Sequence, residues 1–85
     1  MTTYKTIDLF ATGQLLKETM LNNNYCVKQL QEYLCLSCPQ TIYKWFRGES
    51  LPSVDLLYMM SKLFDVHMED LIVTSSQELD IKSIH

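Results

Sequence analysis

The chain has 85 residues with a formal net charge of −3, and 47% of its residues are hydrophobic. This length fits one small domain, and the presence of only two glycines and two prolines favours compact helical packing over disorder or a turn-rich β-structure. No apolar run is long enough to span a membrane, and the first residues lack the layout of a signal peptide, so we expect a cytoplasmic protein without a membrane partner.

The three cysteines, Cys26, Cys35 and Cys38, are expected to be free thiols in such a chain. Cys35 and Cys38 form a C-x-x-C pair, and His67 is a conceivable further ligand, but a structural zinc site needs about four ligands. We therefore expect no metal and no cofactor. The chain also lacks a glycine-rich phosphate loop and a G-x-S-x-G motif, so we do not expect an enzyme.

The sequence predicts five helices, of which the first three cover the N-terminal half of the chain. The first begins near Thr12, its N-cap, and ends at Asn24, because asparagine tolerates the left-handed backbone that closes a helix. The second spans about Val27 to Leu34. The third runs from about Pro39 to Arg47, since proline suits the first turn, and it stops at Gly48.

The fourth and fifth predicted helices follow. Ser53 caps the fourth, Asp65 ends it, and an apolar stripe at helical spacing lies between them, formed by Leu56, Leu57, Met60, Leu63 and Phe64. A short fifth helix covers about His67 to Ile72. The remaining residues are interpreted as a tail, whose apolar members suit docking on a partner: Leu79, Ile81 and Ile84.

The predicted fold is therefore all-α. We expect an N-terminal arm over residues 1–11, a five-helix domain over residues 12–73 and a C-terminal tail over residues 74–85.

The third predicted helix has two different faces. Ile42, Trp45 and Phe46 lie at helical spacing on one side, and we expect Ile42 and Trp45 to belong to the core. The opposite side carries polar and cationic side chains that are able to read base edges or hold phosphates: Gln40, Tyr43, Lys44 and Arg47. This face suggests presentation to DNA, although the acidic balance of the whole chain argues mildly against nucleic acid.

The run from Cys38 to Ser53, CPQTIYKWFRGESLPS, resembles the phage-repressor and Cro type of helix-turn-helix, the XRE-like family. The resemblance covers roughly residues 12–73 and is also supported by the segment Leu63–Val66 before the fifth helix. It implies a repressor-like five-helix domain in which the third helix enters the major groove.

The resemblance also implies roles for individual residues. Base-facing positions of the recognition helix fall on Pro39, Gln40 and Lys44. Glutamine is able to pair bidentately with adenine and lysine to reach guanine, whereas proline offers only an apolar contact. Positions nearer the DNA backbone are taken by Thr41, Tyr43 and Arg47 on the third helix, and by Val27 and Lys28 where the second helix begins.

The chain departs from the family pattern at several positions. Many members carry an arginine and a glutamate where this chain has Met20 and Phe46, and a methionine–aromatic contact would replace that ion pair without leaving an unpaired charge. Val27 stands where many members have a phosphate-binding glutamine. Glu49 lies in a loop that is often basic.

From these features we expect a sequence-specific DNA-binding transcriptional regulator of a bacterium or one of its mobile elements. Double-stranded DNA is the expected partner, and two copies are expected to bind a palindromic site as a homodimer, joined through the fifth helix and the tail. The alternative is a helix-turn-helix scaffold that acts as a protein-interaction module with little DNA binding. The acidic balance, Val27 and Glu49 favour that alternative.

Overall fold

The computed structural model describes the backbone of residues 2–79 and the side chains of residues 6–75. In chain order the elements are β1 (Thr2–Ile7), α1 (Leu9–Asn22), α2 (Val27–Tyr33), α3 (Gln40–Phe46), α4 (Val54–Phe64), a 3₁₀ helix (Met68–Leu71) and β2 (Thr74–Leu79). None of the helices within residues 2–79 has the length and hydrophobicity needed to cross a lipid bilayer. The predicted helical fold class fits this architecture.

The predicted number of five α-helices is wrong, because the described part of the chain contains four. The segment predicted as the fifth is a 3₁₀ helix of four residues, Met68–Leu71, which is a common length for this tighter helix. The residue before it, His67, is extended, and its N–H lies 3.4 Å from the Asp70 carboxylate. Leu71 is buried in the core.

The two strands form an antiparallel sheet in which Thr2 pairs with Leu79 and Ile7 with Thr74. They come from the segments predicted as arm and tail, where the sequence predicted no strand. The predicted tail residues Ile81 and Ile84 lie outside the described residues. The division of the chain after residues 11 and 73 stays a prediction.

α1 begins one turn earlier than predicted, and the assignment of Thr12 as its N-cap is wrong. Asp8 is the N-cap, since its carboxylate accepts a hydrogen bond from the Ala11 N–H at 2.9 Å. Thr12 is instead buried inside the helix. Its hydroxyl accepts from the Val73 N–H at 2.9 Å and lies 3.2 Å from the Val73 carbonyl, to which it donates.

The other predicted helix ends agree with the structure to within about two residues. Asn24, Gly48 and Asp65 all adopt the left-handed backbone, with φ of 64°, 77° and 56°, and each follows a helix that ends where predicted. The Ser53 hydroxyl accepts from the Leu56 N–H at 3.4 Å and caps α4. Local chemistry therefore determines these boundaries.

The core is a single cluster of buried apolar side chains drawn from every α-helix and the 3₁₀ helix. Its members are Leu16, Met20, Leu30, Leu34, Ile42, Trp45, Phe46, Leu57, Met60, Phe64 and Leu71. The predicted burial of Ile42 and Trp45 is confirmed. α3 contributes three of these residues despite its length of seven, so it is anchored along its whole inner face.

Candidate nucleic-acid interface

α3 separates its side chains into a buried face and a free face. Ile42, Trp45 and Phe46 are buried in the core. The side chains on the opposite face are exposed, as the sequence predicts: Gln40, Tyr43, Lys44 and Arg47. The helix therefore presents two long hydrogen-bonding side chains, Gln40 and Lys44, on a short rigid support.

Close contact with α1 fixes the position of α3. A Cβ atom added to Gly13 of α1 would overlap the Trp45 carbonyl oxygen and lie 3.0 Å from the carbonyl carbon, so only glycine permits this approach. The next residue, Gln14, donates from Nε2 to the Phe46 carbonyl at 3.0 Å. This bond satisfies a carbonyl that the end of α3 would otherwise leave without a helical partner.

The start of α3 is organised by Pro39 and Cys38. Pro39 is half-buried in helical geometry (φ −76°, ψ −14°), and its carbonyl accepts from the Ile42 N–H at 3.0 Å. The backbone N–H of Thr41 and, to a smaller extent, the Thr41 hydroxyl and the Gln40 N–H favour the thiolate of Cys38 and lower the pKa of that thiol. Thr41 is half-buried, whereas Gln40 is exposed.

The start of α2 provides the second part of the predicted interface. Val27 is half-buried and Lys28 is exposed. The N-cap residue, Cys26, donates its N–H to the Gln29 Oε1 at 2.9 Å, which holds the first turn in place. Lys28 is the cationic side chain at this end of α2.

Arg47 at the end of α3 forms an ion pair with Glu49. The hydrogen bond from Arg47 lowers the pKa of the Glu49 carboxyl, and the positive charges of Arg47 and Lys44 lower it further. Both side chains of the pair are at least half exposed, so water weakens the attraction and leaves Arg47 able to exchange Glu49 for another anion.

The structure adds a groove that sequence reasoning missed. It has a volume of about 770 Å³ and lies between α1, the start of α2 and the second half of α3. Four of its lining residues share one face of α1 at helical spacing: Phe10, Gln14, Lys17 and Leu21. That spacing was a usable signal, but a helix predicted to start at Thr12 left Phe10 in the arm.

Two buried residues, one from α1 and one from α3, form the floor of this groove. Met20 and Phe46 are buried in the same core cluster and line the same groove. The ring of Tyr43 meets that of Phe46 edge-on, with centroids 6.3 Å apart and an interplanar angle of 83°. Apolar packing therefore joins α1 to α3 at these positions.

The conceivable metal ligands of the sequence, Cys35, Cys38 and His67, are not part of a metal-binding cluster among the described residues. Within the part of the chain that the structure describes, no group of three histidine, cysteine or acidic side chains is placed to hold a metal ion. Cys26 and Cys35 are exposed and Cys38 is half-buried, and all three are free thiols.

Comparison with known proteins gives one family match. A helix-turn-helix family model matches residues 16–71, a range that runs from within α1 to the end of the 3₁₀ helix and includes α2 and α3. Neither the curated proteins nor the solved structures contain a significant match to this chain.

Proposed function

Because the chain belongs to the XRE-like helix-turn-helix family of DNA-binding regulators, we propose that it is a sequence-specific transcriptional regulator whose α3 enters the major groove of DNA. The observation that carries this proposal is the exposed outer face of α3. Gln40 and Lys44 project from a helix that three buried side chains hold from behind. A rigid support of this kind lowers the entropic cost of ordering base-reading side chains on binding.

Base recognition falls to three residues at the front of α3. Gln40 is suited to adenine, since its amide N–H is able to donate to N7 while its amide oxygen accepts from the N6 amino group, and Lys44 is suited to guanine O6 or N7. Pro39 has no side-chain donor and offers an apolar surface, for example to a thymine methyl group. Which bases are selected depends on the docking angle of α3.

Proposed contacts to the DNA backbone lie on either side of these base-facing residues. Lys28 and Arg47 supply charge, Tyr43 and Thr41 supply hydroxyl groups, and the first N–H groups of α2 beside Val27 supply donors to phosphate. These contacts fix the register of α3 in the groove, and they add little base preference of their own.

One copy offers few such cations, so we propose that two copies bind a palindromic site about one helical turn apart. The proposed surface between copies is the 3₁₀ helix together with the C-terminal tail. A dimer on such a site makes twice as many base contacts as one copy, with the same residues in each copy. The setting we propose for this activity is the cytoplasm of a bacterium.

The test is a selection of binding sites from random duplexes, followed by titration of the selected site. We expect a specific complex that salt weakens, and a loss of about 100-fold in affinity for Gln40→Ala with Lys44→Ala, since each base contact contributes about 1–3 kcal/mol. Lys62→Ala is the matched control, because Lys62 is an exposed cation of α4 that lies over the Tyr58 ring and is not among the residues proposed to contact DNA. No retained duplex at low salt would contradict the proposal.

A further inference from the structure

The groove between α1, α2 and α3, here the α1–α3 groove, combines a buried apolar floor with an exposed apolar rim. Met20 and Phe46 form the floor, with exposures of 3% and 7%. The rim contains Phe10, Leu21 and Tyr43, which are 63%, 54% and 44% exposed. Large apolar side chains grouped around a concavity mark an interaction site more often than scattered single ones do.

The charges of the α1–α3 groove have one sign, although the whole chain is acidic. Lys17, Lys28 and Arg47 line it, and no carboxylate belongs to the lining residues that the structure describes. The chain has ten acidic side chains and only seven lysines and arginines, so this local positive set is a departure from the average surface. The complementary ligand is apolar and negatively charged.

The shape of the groove selects among ligands of that chemistry. Sites for small molecules bury most of the ligand surface, whereas the rim residue Phe10 is mostly exposed and the groove is open along α1. Phosphodiester DNA has charge but gains nothing from the aliphatic rim at Leu21. An amphipathic helix satisfies both features, because apolar side chains one turn apart reach the floor while acidic side chains face the lysines.

We propose that the α1–α3 groove is a docking site for an acidic amphipathic helix of a partner protein. Leucine-sized side chains of the partner lie on Met20 and Phe46, flanked by Phe10 and Leu21, and its carboxylates pair with Lys17, Lys28 and Arg47. Four of the groove residues also belong to the proposed DNA-backbone contacts: Val27, Lys28, Tyr43 and Arg47. A bound helix therefore excludes DNA, a consequence that rests on the proposed function.

The experiment uses the full chain and a fluorescein-labelled helical peptide of about 15 residues, with leucines at i, i+4 and i+7 and glutamates on the other positions. Two matched peptides serve as controls, one with lysine in place of glutamate and one with the same composition but scattered leucines. We expect anisotropy to report saturable binding of the acidic amphipathic peptide, and at least tenfold weaker binding of both controls.

Variants locate the binding surface. Leu21→Ala and Phe10→Ala are each expected to weaken binding of the acidic peptide by about tenfold, because truncating an apolar anchor typically costs that much affinity. Lys17→Glu is expected to weaken binding by about fivefold. Val54→Ala is the matched control, because Val54 is 71% exposed on α4 and lies outside the groove. All four residues are exposed, so folding is expected to persist, and circular dichroism checks it.

The outcomes separate this proposal from DNA binding. Peptide binding that survives Gln40→Ala with Lys44→Ala but not Leu21→Ala supports the docking site, and displacement of the selected duplex by the peptide supports the exclusion. Peptide binding without any DNA binding supports docking and defeats the proposed function. Three outcomes would each overturn the docking proposal. One is equal binding of the acidic and basic peptides. Another is binding of dodecanoate, a small apolar anion, without binding of the acidic peptide, and the third is a Leu21→Ala protein that loses DNA binding but keeps peptide binding.

Discussion

Gly13 shows how much a single residue decides in this small domain. It lies inside α1, where glycine costs about 1 kcal/mol relative to alanine. The backbone of Trp45 in α3 occupies the space that any side chain at this position would need. The Gln14 bond to the Phe46 carbonyl depends on the same close approach. At this residue, contact between helices outweighs local helix propensity.

We expect Gly13→Ala to lower the free energy of unfolding by about 2 kcal/mol, because α1 and α3 must separate to accommodate the new Cβ. Urea unfolding followed by circular dichroism measures the change. Glu18→Ala, at an exposed position of the same helix, is the control and is expected to stay within about 0.5 kcal/mol of the parent. A stabilised Gly13→Ala protein would show that propensity, not packing, dominates here.

At the scale of elements, the two-stranded sheet depends on its attachment to α1. A sheet of two strands is only marginally stable in water. β1 and β2 are joined to the helical body where Val73 meets α1, through the buried Thr12 hydroxyl and through the Asp8 N–H, which donates to the Val73 carbonyl at 2.8 Å. Thr12 is therefore a link between elements and not the start of a helix.

We expect Thr12→Val, which keeps the shape but removes the hydroxyl, to reduce the free energy of unfolding by about 1–3 kcal/mol, because the Val73 N–H loses its partner. Amide exchange in β1 and β2 should become faster, which hydrogen-exchange mass spectrometry measures. The matched control is Thr19→Val, whose hydroxyl bonds only the Leu15 carbonyl one turn earlier in α1. Equal effects of the two substitutions on amide exchange in β1 and β2 would contradict this role of Thr12.

At the scale of the whole molecule, the distribution of charge matters more than its sum. The chain is acidic overall, but Lys28, Lys44 and Arg47 lie on or beside the proposed DNA face. Glu49 lies among them, and its carboxylate forms an ion pair with Arg47, a cation of that proposed face. Non-specific attraction to DNA should therefore be modest and sensitive to that one carboxylate.

We expect Glu49→Gln to raise affinity for the selected duplex by about threefold to tenfold at low salt and to steepen the salt dependence by about one unit, since Arg47 becomes available to a phosphate. Titration at several salt concentrations measures both. Glu69→Gln in the 3₁₀ helix removes the same charge at another exposed site and controls for net charge. If both variants gain the same affinity for the duplex, the total charge of the chain controls binding and the ion pair of Arg47 with Glu49 does not.

Much of the helical frame was predictable because it depends on short stretches of chain. Ser53, Asp65, Gly48 and Asn24 act through hydrogen bonds and backbone conformations within a few residues of themselves. The burial of Ile42 and Trp45 follows from helical spacing alone. The outward direction of Gln40 and Lys44 follows in turn, because a helix with one buried face has its opposite face free.

The sheet, the start of α1 and the α1–α3 groove were decided only in three dimensions. β1 and β2 pair although they lie near opposite ends of the chain, and no local pattern in Thr2–Ile7 predicts pairing with Thr74–Leu79. Asp8 and Thr12 are both acceptable N-caps by composition, and the contact of Thr12 with Val73 settles which one is used. The sequence by itself determined most of the helix ends and the face that α3 offers, since those depend on neighbours along the chain. Packing alone brought Phe10, Lys17 and Lys28 around one concavity, because separate helices acquire a shared surface only when the core forms between them.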